Sequence, residues 1–168
     1  MDGIRWEQAL AELDALALPP VVRDAFVEPE RVPEVLRWLM RDPGEIFEEP
    51  SDPGFYPAGA ITPLWADHTG HIVVGHRRSG GPIGYLRFLL EEPETIEEGL
   101  TFDQLVVHEL IGVWERARDE AHAESQLHEA ARHLAFAHAA RLVEALRARG
   151  HASSREHDVF VASFRATL

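Results

Sequence analysis

The sequence predicts an α+β fold: a small antiparallel sheet, a three-stranded meander or more, flanked by short N-terminal helices and a long C-terminal helical segment. Three observations carry this expectation. Over the first third, apolar residues recur at helical spacing and prolines interrupt them. In the middle the period shortens, and turn residues separate apolar runs of strand length. Residues 117–149 hold no glycine or proline and are rich in Ala, Arg, Glu and Leu.

The elements follow in order. Ile4, Leu10, Leu13, Leu16 and Leu18, with Glu7, Glu12 and Asp14 between them, mark a short amphipathic helix stopped by Pro19-Pro20. Proline is tolerated in the first turn of a helix, so Pro20 starts the next one through Phe26. Pro33 restarts the pattern with Val35, Leu36, Leu39 and Met40, and Asp42-Pro43-Gly44 ends it. Residues 43–59 are rich in proline, glycine and acid and contain no base, which reads as a loop crossing to the sheet.

Ala60–Trp65, His71–Arg77 and Ile83–Leu89 are the three strands, separated by the turns Asp67-His68-Thr69-Gly70 and Ser79-Gly80-Gly81-Pro82. Pro63 has no N–H to give to a ladder, so its strand is expected at a sheet edge or bulged there. Glu91–Gly99 is an acidic run between the third strand and the next helix. Thr101-Phe102-Asp103-Gln104 is a capping-box signature, and Phe102, Leu105, Val106, Leu110 and Val113 mark one face of the helix it opens. Residues 117–149 read as one long helix with Leu127, Ala131, Leu134, His138 and Leu142 in a stripe, Ser125 as a candidate break and Gly150 as its close. Ser153-Ser154-Arg155-Glu156 caps a last helix carrying Phe160, Phe164 and Leu168, although Val159-Phe160-Val161 also suits a strand.

At 168 residues the chain fits one domain and needs no staple to bury a core. Apolar residues at 45% and charged residues at 27% match globular averages and exclude wholesale disorder. Cysteine is absent, which removes disulfides, thiolate zinc sites and cysteine nucleophiles, and suits a reducing compartment. The N-terminus carries early acids and no apolar signal core, and no run reaches membrane-spanning length, so a cytoplasmic location is expected. Sixteen Lys plus Arg against 29 Asp plus Glu give −13 at pH 7. That balance repels nucleic acid and anionic membrane and steers basic proteins towards the surface.

Ile61-Thr62-Pro63-Leu64-Trp65-Ala66-Asp67-His68-Thr69-Gly70-His71 resembles the apolar-Pro-Leu, aromatic, Asp, Gly segment of the SUKH superfamily. Thr101-Phe102-Asp103-Gln104-Leu105 matches the Ser/Thr-Phe-x-x-Leu/Phe helix start that follows in that family, and Leu18-Pro19-Pro20 with Phe26 is compatible with its leucine-proline helix start. The resemblance covers roughly residues 55–115. The family's Asn-Gly-Gly-like segment is missing here, with Asp42-Pro43-Gly44 in its place. It implies a single SUKH-like domain over 1–168, with a core of about 1–118 and a helical extension of about 119–168. It also implies a non-catalytic role: an immunity protein that binds and neutralises a cognate toxin, often a nuclease, or else a regulatory interaction module.

Ten histidines raise the further alternative of a metal-dependent enzyme. His108-Glu109 is followed by Gly112 where a second histidine should stand. His128-Glu129 is followed by Arg132, with His133 one residue late and about 100° round the helix. His133 and His138 are also out of phase. Glu129 with His133 reads as a surface pair, and His138, inside the apolar stripe, as a core or interface histidine. No serine sits in a nucleophile elbow, and Gly80-Gly81 is turn chemistry, not a phosphate cradle. Asp67 and His68 have the types of an acid–base pair but the position of a turn. The expectation is therefore no catalytic residue, no metal and no cofactor.

Two acidic groups remain as partner-binding candidates. Glu91, Glu92, Glu94, Glu97 and Glu98 form the first, and Glu45, Glu48, Glu49 and Asp52 the second. Such rims raise association rate and choose partners, whereas affinity comes from aromatic anchors, here Phe55 and Tyr56, with Trp65 and Tyr85 as further aromatics and Trp65 read as core.

Overall fold

A computed structural model describes residues 6–44, 60–89, 95–150 and 154–168 of the chain. It divides into two units, Met1–Phe102 and Asp103–Leu168. The architecture is α+β, with a four-stranded antiparallel sheet between N-terminal and C-terminal helices in the sequence.

In the first unit, α1 (Trp6–Ala15) and α2 (Pro20–Val27) are followed by one 3-10 turn, Pro29–Arg31, and a short α3 (Glu34–Arg37). Pro20 occupies the first turn of α2, where its missing N–H costs no hydrogen bond. The rings of Trp6 and Phe26, 4.3 Å apart, join α1 to α2. Both helices pack on the first strand and bury Ala9, Leu13, Val22 and Phe26. Arg41 then forms an isolated antiparallel bridge with Ala66, closed by two 2.9 Å backbone hydrogen bonds.

The sheet runs β1 (Ile61–Ala66), β2 (Ile72–Arg77), β3 (Gly84–Leu89) and β4 (Thr95–Leu100) in chain order. Both expectations for Pro63 hold: β1 is an edge strand, and its register shifts between Pro63 and Trp65. The fourth strand corrects the loop reading of the acidic run, half of which is ladder. Thr-Ile-Glu-Glu-Gly-Leu has little intrinsic strand character; cross-strand pairing of Glu97 with Arg87 and the Glu98–Arg77 ion pair favour it instead. Gly84 is required at the other end of that pairing. Its φ is +139°, and a Cβ there would sit 2.9 Å from the Leu100 carbonyl oxygen.

Register assigns the faces. Thr62, Trp65, Val74, His76, Tyr85, Arg87 and Glu97 share one face; Ile61, Val73, Leu86 and Phe88 share the other and form a buried cluster with Ala60.

The second unit takes up α4 (Phe102–Arg116) from Asp103 onward, then α5 (Glu120–His133), α6 (Ala139–Arg149) and α7 (Ser154–Arg165). The capping-box position is where α4 begins. The single long helix of 117–149 is corrected to two helices, and the break is not at Ser125, which lies inside α5. Ala135 takes φ +52°, its N–H reaches the Arg132 carbonyl and that of Phe136 reaches the Ala131 carbonyl. This is a Schellman ending with alanine in the usual glycine position, and it is held by burial of Phe136. His138 consequently leaves the apolar stripe and stands at the N-cap of α6, partly exposed. Asp119 caps α5 by accepting from His122 N–H at 2.8 Å, and Gly150 ends α6 with φ +64°.

α5 packs on α6. Leu105, Leu110, Ile111, Leu127, Leu134 and Leu142 are fully buried. The last segment is helix, not strand. It is fastened to α4 by a reciprocal pair: Arg165 Nε donates to the Gln104 carbonyl at 2.6 Å and Gln104 Nε2 to the Arg165 carbonyl at 3.3 Å.

Candidate functional site

Alternation along β4 sends neighbouring side chains to opposite faces of the sheet, and the strand uses this to serve two buried cations at once. Arg77 on β2 and Arg87 on β3 are only 8% and 7% exposed. Glu98 accepts from Arg77 Nη2 at 3.2 Å on one face, and Glu97 lies 3.8 Å from Arg87 Nη1 on the other. A buried guanidinium without a counter-charge is costly, so the two glutamates fix β4 to the sheet. Outside these pairings the strand is open: Ile96 and the Glu98 side chain are each 42% exposed.

Glu97 and Glu98 are the two expected partner-binding residues that the structure describes, and it brings them together on this strand. Glu45, Glu48, Glu49, Asp52, Phe55, Tyr56, Glu91, Glu92 and Glu94 lie outside the described residues. Sequence reasoning missed Arg77 and Arg87. The available signal was arginine inside an apolar strand, as in Leu86-Arg87-Phe88, which demands a carboxylate nearby.

A second polar cluster, also missed, ties α1 to the sheet. Glu12 accepts the Thr62 hydroxyl at 2.8 Å on one oxygen, and the Arg78 guanidinium and Gln8 Nε2 on the other. Thr62 is fully buried. Both oxygens of Glu12 are thus occupied, which makes it a clasp between α1 and the sheet. His76, beside Thr62 in the register, has its pKa lowered by burial and then by the Arg78 charge. Its ring meets Tyr85 edge-on at 5.0 Å, and Tyr85 meets Phe102 at 5.4 Å. Burial raises the Tyr85 pKa, so phenol and imidazole are both uncharged at neutral pH. His76 Nδ1 is buried with no hydrogen-bond partner among the described residues.

The turn between β1 and β2 accounts for Asp67 and His68. Asp67 Oδ1 accepts from Thr69 N–H, the Thr69 hydroxyl and Ile72 N–H, while the His68 ring stacks on Trp38 at 3.9 Å. Asp67 is a turn-former by these bonds. Of the helical histidines, His128 lies 3.9 Å from Glu124, one turn away. Among the described residues no group of three or more His, Cys, Asp or Glu is arranged to hold a metal.

The second unit contains a cleft of about 650 Å³ whose lining includes Trp114, Arg118, Arg147, Arg149 and Asp158. Two of its arginines face carboxylates of the same unit. Arg147 bridges Glu120 and Glu124, at 2.7 Å each, and Arg149 donates to Glu115 at 3.1 Å, with His157 Nδ1 at the same distance from that carboxylate. The cleft therefore presents mixed charge, and no ligand chemistry dominates it.

Arginine supplies every one of the sixteen basic side chains, and among the described residues Arg23, Arg31, Arg77, Arg78, Arg87, Arg147 and Arg149 lie within 4.0 Å of a carboxylate. These pairs mask positive charge locally and leave the acidic excess to set the outer field. Among the described residues no helix is long and apolar enough to cross a membrane. Comparison with protein-family models, with curated proteins and with solved structures gave no match for this chain.

Proposed function

We propose that this is a non-catalytic, cytoplasmic binding protein that captures a basic protein partner, and that its role is to neutralise a cognate toxin. The carrying observation is electrostatic. A net charge of −13 sits on a molecule in which Arg77, Arg78, Arg87 and Arg147, among others, are paired with its own carboxylates, so a partner meets an acidic surface. The toxin-neutralising form rests on the SUKH resemblance of residues 55–115. The element order is compatible with it: the strand bearing Pro63, the Asp67–Gly70 turn, further strands and a helix from Phe102 follow one another in the order of the motifs that carry the resemblance.

The test is co-purification of the full chain with the products of its flanking genes. A one-to-one complex with a basic product that is toxic alone is the expected result. Capture of a basic but harmless product would move the role to regulation, and capture of none would overturn the reading.

A further inference from the structure

The two edges of the sheet are built differently. On β1 every side chain is buried, Pro63 supplies no N–H, a register shift disturbs the ladder beside it, and the Arg41 bridge covers its end. Those are the devices by which an edge is closed to further pairing. β4 shares only the register shifts, which fall in its pairing with β3 at Tyr85/Arg87 and Arg87/Phe88; it has no proline and no covering bridge, and no strand is paired to its outer side among the described residues. Its exposed positions are Ile96, Glu98 and Gly99.

We propose that the outer edge of β4 is the docking strand, and that its occupant is an extended, basic segment of the partner added antiparallel or parallel as a fifth strand. This rests on the reading of the protein as a binder of a basic partner. Main-chain hydrogen bonds along the open edge supply attachment, and side chains at alternate positions supply selectivity. Charge decides the occupant. A second copy of this chain would set Glu97 and Glu98 against the same residues between two molecules of −13 each, and like charges across a ladder repel. Lysine or arginine on an incoming strand meets Glu98 instead, which gives one oxygen to Arg77 and remains 42% exposed. Ile96 adds an apolar contact at the same edge.

The experiment follows amide hydrogen exchange of the full chain with a capped peptide of alternating valine and lysine, as long as the strand, and with its valine–glutamate counterpart as control. The expected result is new protection confined to Thr95–Leu100 with the basic peptide alone. Ile96→Lys should weaken the peptide roughly tenfold relative to Ile96→Thr, because a lysine on an edge blocks addition and repels a basic strand. Both variants change an exposed side chain, and an unchanged thermal transition confirms that each folds. Absence of new protection at Thr95–Leu100, or equal binding by the two variants, overturns the proposal. Failure here with a basic flanking-gene product still captured removes the docking edge and leaves the functional reading intact. Protection here with no product captured does the reverse.

Discussion

Among the described residues, Ala17 and Ala135 are the non-glycine residues with positive φ, at +50° and +52°, and each follows the end of a helix. Left-handed backbone costs an L-residue roughly 1–2 kcal/mol, which glycine avoids. Both alanines are exposed and lose little packing on truncation. Ala135→Gly should therefore stabilise the chain by about 0.5–1 kcal/mol, against the usual sign of alanine-to-glycine changes inside helices. A lowered denaturation midpoint would show that the Schellman ending is not formed. His76 makes a pH-dependent claim at the same scale. Its folded pKa lies below the ordinary 6.5, held down by burial and by Arg78, so the unfolded chain takes up a proton that the folded chain resists. Above 6.5 the imidazole is neutral in both states and contributes nothing; as pH falls below 6.5, stability declines through this group. Denaturation midpoints measured across that range should fall less steeply in His76→Gln than in the parent.

The contact of α1 with the sheet depends on one carboxylate. Glu12→Ala leaves the fully buried Thr62 hydroxyl without its acceptor and removes the counter-charge facing Arg78, a loss of about 1–3 kcal/mol. Glu12→Gln should cost less, since the amide oxygen still accepts from Thr62. Urea midpoints with unchanged slopes would check this; equal stability of Glu12→Ala and the parent would reduce the clasp to a surface pair. Neither the clasp nor the arginines of β2 and β3 are visible as patterns, because each joins residues far apart in sequence: 50 positions separate Glu12 from Thr62 and 66 separate it from Arg78. What local spacing encodes was legible: the proline-started α2, three strands with their Gly-bearing turns, the bulged edge at Pro63 and the start of α4, whereas Val159-Phe160-Val161 left the last segment open between helix and strand. β4 was not, since its strand state comes from pairing with β3 and its residues alone read as a charged loop. The break at Ala135 was hidden for a related reason. Ala-Phe-Ala continues a helix by propensity, and only burial of Phe136 makes the turn worth its strain.

Of the candidate surface, the sequence disclosed the charge but not the frame that presents it. Charge acts at the scale of the whole molecule, through a field that steers a basic partner before contact and is damped over about 8–10 Å by physiological salt. Affinity after contact depends on short-range packing and main-chain bonds, which salt barely alters. Raising ionic strength should therefore slow association with the basic partner by an order of magnitude or more, while dissociation changes by a factor of about two. Surface-plasmon or stopped-flow kinetics across a salt series would measure both rates. Association that is independent of salt would contradict an acidic docking surface of any location. A salt-sensitive dissociation rate would show instead that ion pairs, and not the open edge of β4, hold the complex together.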